Sequence, residues 1–155
     1  KIRKKLLPLL DMSSVYCDTT LSDITREKNE TSELFWNKMK QIWDKRDVVL
    51  VGCPQAHQKL KFNVFENATS EHWVYIPNMD AFDQYDVILE RIKKFPKDFL
   101  VILMAGPTGT ILAYDLSNDG YRALDLGHVA KAYDLYMRDV EITSEVESDF
   151  WKPDF

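Results

Sequence analysis

The chain has 155 residues, 45% of them hydrophobic and 29% charged, with a formal net charge of −5 at pH 7. That length supports one domain with a real core and is too short for two comfortable ones, and the acidic balance argues against a general nucleic-acid binder, which carries a basic face. Two cysteines, Cys17 and Cys53, give no disulfide framework and point to a reducing, cytoplasmic setting; no apolar run reaches the roughly 18 residues of a membrane span, and no secretory pattern opens the chain.

In chain order, residues 1–10 mix Lys1, Arg3, Lys4 and Lys5 with Ile2, Leu6, Leu7, Leu9 and Leu10. They read as an amphipathic helix end packed on the domain, or as a segment lying on an anionic membrane. The first residue is Lys1, which suggests a chain trimmed or excised from something longer. Residues 11–29 are polar, and Arg26 there suits either a bidentate phosphate clamp or a surface salt bridge. Thr31 or Ser32 followed by Glu33 reads as the opening of a helix carrying Phe35, Trp36, Met39, Ile42 and Trp43, an aromatic stripe assigned to the core. Residues 48–51 form a short buried strand, with 52–57 as the loop at its carboxyl end and Cys53 as a small core residue. Residues 62–68 are ambiguous, with a short helix as one reading.

A second strand, 73–76, stops at Pro77-Asn78, and Asp83 is placed as the cap of a helix with Tyr85, Ile88, Leu89, Ile92 and Phe95 inward. The longest apolar run, 99–105, reads as a strand buried on both faces. It passes through Gly106-Pro107-Thr108-Gly109-Thr110 into a helix with Ile111, Leu112 and Leu116, closed at Asn118-Asp119-Gly120. Residues 121–126 form a last strand ending in Gly127-His128, and a final helix covers 129–137. The tail, 139–155, holds six acids against one lysine and reads as a loosely attached or partner-docking end.

Alternating strands and helices at short spacing predict an α/β fold, a mostly parallel sheet with helices on both faces. Ligands of such sheets bind beyond the carboxyl ends of the strands, so four loops, 52–57, 77–83, 106–110 and 125–128, should converge there. The 106–110 turn suits a diphosphate, held by main-chain N–H groups and the Thr108 and Thr110 hydroxyls. It lacks both the P-loop lysine and the GxGxxG spacing of a dinucleotide site, which argues against an ATPase or a nicotinamide dehydrogenase. Asp125 and His128 could bind a metal, orient a sugar hydroxyl or move a proton, while Asp125 serves equally well as a turn acid bonding backbone amides. Asp115 either faces the crevice or anchors its helix.

The stretches Ala105-Gly106-Pro107-Thr108-Gly109-Thr110-Ile111-Leu112-Ala113-Tyr114-Asp115-Leu116 and Gly120-Tyr121-Arg122-Ala123-Leu124-Asp125-Leu126-Gly127-His128 resemble the family of bacterial GT-D-type glycosyltransferases. The resemblance runs from about Thr25 to Met137. It implies a Rossmann-like, nucleotide-sugar-dependent transferase using a donor such as a UDP-sugar, a divalent metal (Mn or Mg), and a cell-surface glycan or glycoprotein acceptor. Gly106, Pro107, Thr108, Gly109, Thr110 and Gly127 would contact the donor, Asp125 and His128 would be catalytic, and Asp125 would also touch the metal. The chain departs from the family pattern in two places. It has no Arg-Phe-Gly-Asp-Gly-Glu-like opening, so 1–155 is expected to be one α/β domain lacking the family's N-terminal part. Where many members continue with Asp-x-Glu, it has Ala130 and Ala132. Those departures support an alternative, a non-catalytic binding or assembly module, and a partner transferase or a homo-oligomer would complete such a module.

Overall fold

The computed structural model describes Ser13 and residues 29–153. The readings made for residues 1–10, Cys17 and Arg26 lie outside the described residues. Four strands, β1 (Asp47–Gly52), β2 (Ser70–Tyr75), β3 (Leu100–Leu103) and β4 (Arg122–Asp125), form one sheet in the order β2-β1-β3-β4. All three pairings are parallel, with Leu50 opposite Trp73 and Ile102, and Ile102 opposite Leu124.

The apolar runs explain the layers. Along β1 and β3, Val48, Leu50, Leu100 and Ile102 point to one face, while Val49, Val51, Val101 and Leu103 point to the other. Each strand is therefore buried on both sides, as an uninterrupted apolar run requires. The first face is covered by α1 (Glu30–Lys40), α5 (Val129–Met137) and α6 (Ser144–Phe150), through Trp36, Met39, Tyr133 and Phe150. The second is covered by α3 (Tyr85–Ile92) and α4 (Pro107–Asn118), through Ile88, Ile92, Leu112 and Leu116. A one-turn helix, α2 (Pro54–Lys59), follows β1.

Several boundaries differ from expectation for local reasons. Asn29, not Thr31 or Ser32, caps α1, accepting from the Ser32 N–H at 3.0 Å. Asp83 caps nothing; a 3₁₀ turn, Ala81–Gln84, leads into α3 without a side-chain cap. Cys53 is a half-buried N-cap of α2, its Sγ accepting from Ala56 N–H at 3.3 Å, and not a strand core residue. Residues 62–68 are turns and bends, tied to the turn after α1 where Trp43 Nε1 donates to Val64 O at 2.9 Å. The tail is docked through α6, since Phe150 is 1% exposed in the first core.

Candidate functional site

The chain leaves β1 towards β2 on one side and β3 towards β4 on the other, so the carboxyl ends of β1 and β3 bound a crevice. A cavity of about 480 Å³ opens there. All four predicted loops contribute to it: Gly52 and His57, Pro77 and Asn78, Gly106 to Thr108, and Gly127 with His128.

The turn from β3 into α4 is shaped by Gly106, whose φ of 54° and ψ of −146° suit glycine almost alone. Pro107 takes the first helical position, where its missing N–H costs nothing, and no side chain caps the helix. The positive end of the α4 dipole therefore abuts the cavity, a favourable setting for an anion. Lys131 and Lys152 also line the cavity. Lys131 donates to Phe150 O at 3.0 Å and Lys152 to Asp149 Oδ1 at 2.6 Å. The second bond draws the Asp149 carboxyl below its ordinary value.

The predicted site residues separate into two groups. Gly106, Pro107, Thr108, Gly127 and His128 line the cavity. Gly109, Thr110 and Asp125 gather into a cluster of their own. Asp125 Oδ2 accepts from the Thr110 hydroxyl at 2.7 Å, and Oδ1 accepts from Gly127 N–H at 3.2 Å. A Cβ on Gly109 would stand 3.1 Å from Asp125 Oδ1, so the carboxylate lies directly on that glycine. Asp115 is turned to Tyr85, whose hydroxyl donates to it. Burial first, then that bond, push the Tyr85 phenol up to about 12. Asp115 is thus a helix anchor.

His128 packs against Phe150 and Trp151 at 5.2 and 5.3 Å between ring centres, which brings Trp151, Lys152 and Pro153 to the cavity. Also at the cavity, the His57 ring stacks on Trp73 at 3.8 Å and 10°. Sequence reasoning missed both groups. Lys131, three residues past His128, was legible in principle. The His57–Trp73 contact joins a helix to an edge strand, and nothing in the spacing announces it. Of the two alanines standing where the resemblance has acids, Ala130 lines the cavity, while Ala132 is buried in the first core.

Among the described residues no three His, Cys, Asp or Glu side chains gather as a metal-binding set. Asp125 already accepts two hydrogen bonds. The described residues therefore do not by themselves fit the divalent cation that the resemblance implies. No helix among them is long and apolar enough to cross a membrane.

Residues 2–152 match the family model described as "Glycosyltransferase GT-D fold". The chain belongs to that family. It is 29% identical over 113 residues to the "Probable glycosyl transferase Gly" of Streptococcus gordonii, covering 73% of this chain and 17% of that protein. To the glycosyltransferase GlyD of Streptococcus pneumoniae serotype 4 it is 29% identical over 108 residues, covering 70% of this chain and 13% of the relative. It thus spans less than a fifth of either. A solved structure of the domain of unknown function 1792, described as having a distinct glycosyltransferase fold, superposes with a TM-score of 0.79 at 27% identity, over 92% of this chain and 53% of that one. A second structure of that domain gives a TM-score of 0.81 at 26% identity, over 98% and 58%. The GT-D fold family and the α/β architecture agree with the expectations from sequence.

Proposed function

We propose that the crevice binds a nucleotide-sugar, such as a UDP-sugar, and that the chain transfers the sugar to a glycan or glycoprotein acceptor of the cell surface. The observation that carries this reading is the convergence of four strand-end loops of a GT-D family member on one cavity, with the N-terminus of α4 and two lysines beside it. The diphosphate lies against Gly106, Pro107 and Thr108, where the helix dipole and the charges of Lys131 and Lys152 stabilise the leaving group as the bond from sugar to phosphate breaks. His128 takes the proton of the acceptor hydroxyl as that oxygen joins the sugar carbon. Asp125 acts as a positioning residue, holding Thr110 and the Gly127 turn. A divalent cation at this diphosphate would need ligands besides Asp125. The setting is reducing and cytoplasmic, a reading supported by a sequence with only two cysteines and no disulfide framework.

Nucleotide-sugars should raise the melting temperature of the whole chain in a concentration-dependent way. His128→Gln should preserve that shift while lowering the transfer rate by about 100-fold or more. If no nucleotide-sugar shifts the melting point, the reading is wrong. A second reading, a donor-binding assembly module completed by a partner transferase or a second copy, is favoured by Ala130 at the cavity wall. It predicts donor binding with no turnover by the chain alone.

A further inference from the structure

We propose that the stacked rings of His57 and Trp73 form the platform on which the nucleobase of the donor lies, a proposal that rests on the nucleotide-sugar reading above. Trp73 is on the edge strand β2, facing the same side of the sheet as α2. The indole packs over Gly52 at the end of β1, within ordinary van der Waals reach of that residue. His57 lies flat on the indole, its centre 3.8 Å away and its plane within 10°. Its rotation is fixed by Nδ1, which is 2.9 Å from the Tyr75 hydroxyl. Tyr75 continues the arrangement, with its ring 19° from the plane of Trp73.

These rings are not simply core. His57 and Tyr75 belong to neither core cluster, and Trp73 is only partly buried against the first. His57 and Trp73 both line the cavity. The cavity lining therefore carries two chemically distinct sets of groups. One set is a helix N-terminus and two lysines, which suit phosphate; the other is a flat, braced aromatic surface, which suits a planar heterocycle. A nucleoside diphosphate is a single molecule with those two ends. The hydrogen bond between His57 and Tyr75 pre-sets the platform, so little ordering is left to the moment of binding.

The test is calorimetric titration of the whole chain with UDP, dTDP, GDP, ADP, CDP and inorganic pyrophosphate. His57→Ala should weaken the tightest-binding nucleoside diphosphate by at least about tenfold, equivalent to ~1.4 kcal/mol, as loss of a base-stacking ring does. His57→Phe, which keeps a flat ring, should restore most of that affinity, and pyrophosphate binding should be the same in all three proteins. Unchanged nucleoside diphosphate affinity in His57→Ala, or an equal loss for pyrophosphate, overturns the platform while leaving the donor reading intact. A wild-type chain that binds none of the five nucleotides overturns both. Fluorescence gives a readout independent of the histidine variants. A bound nucleotide should quench the emission that distinguishes wild type from Trp73→Phe, and equal quenching in the two proteins also overturns the platform.

Discussion

At the carboxyl edge of the sheet, β3 enters α4 through Gly106 and β4 enters α5 through Gly127, and both glycines take positive φ, 54° and 51°. The two turns share a strand, a left-handed glycine and a helix, yet they are used differently. Around Gly106 a Cβ would meet nothing within 4 Å, and the turn faces the cavity. The second turn is tied back on itself. Its Gly127 N–H is donated to Asp125, and the same carboxylate takes the Thr110 hydroxyl from the first turn of α4. One acid at the end of β4 thus uses the amide of its own turn to brace the neighbouring one. At the Gly127 turn a main-chain donor is already taken, whereas no side chain caps the helix that opens at Gly106.

The sharpest way to break the comparison is at Gly106. The φ and ψ of this residue fall where other residues pay for strain, so Gly106→Ala should destabilise the fold by about 1–3 kcal/mol although the space around it is open. Chemical denaturation would measure the loss. An unchanged midpoint would mean that the turn relaxes freely and is not held open.

Gly109 offers the opposite case, ordinary backbone under a close neighbour. Gly109→Ala places a methyl 3.1 Å from Asp125 Oδ1 and should displace the carboxylate from Thr110, at a cost of about 1 kcal/mol. On a background of Asp125→Ala the same change should become neutral or stabilising by up to about 1 kcal/mol, because alanine is the better helix former. A double-mutant cycle reads this reversal directly, and simple additivity would remove the brace from the account. Asp125→Asn separates positioning from chemistry. It keeps an oxygen for Thr110, so a drop in transfer rate of less than about tenfold fits a brace, whereas a loss of about 100-fold or more fits a catalytic carboxylate.

The strands were legible because Val48 to Val51 and Leu100 to Leu103 are continuous apolar runs between turn signals, and burial on both faces leaves no other place for them. The convergence of loops followed from topology alone. Residue roles were less legible. Asp125 reads equally as a ligand or a turn acid until the position of Thr110 is known, and that position depends on how α4 packs on β4. His57 and Trp73 are 16 positions apart in the chain and meet only because β2 pairs with β1. Phe150 sits in an acidic tail whose charge suggested a loose end; its burial in the first core, beside His128 and α5 residue Lys131, is something periodicity in residues 139–155 does not reveal.

The smallest effect concerns the outer anchor of α4, where the Tyr85 hydroxyl donates to Asp115. The phenol is raised from 10.0 to about 12, by burial first and then by this bond, so the folded state favours the protonated form. The stability it contributes is complete below pH 10 and is lost as pH rises through about 12. Tyr85→Phe should therefore cost up to about 1 kcal/mol at neutral pH, with the gap from wild type constant up to pH 10 and closing above it. Denaturation curves of the two proteins across the alkaline range measure that gap, and the titration of other residues cancels in the difference. Donor affinity sharpens the comparison of the two turns. If Asp125 alone sets the Gly106 turn, Tyr85→Phe leaves nucleotide binding untouched; if affinity falls with stability, α4 moves as one body and the open turn depends on an anchor on the far side of its helix.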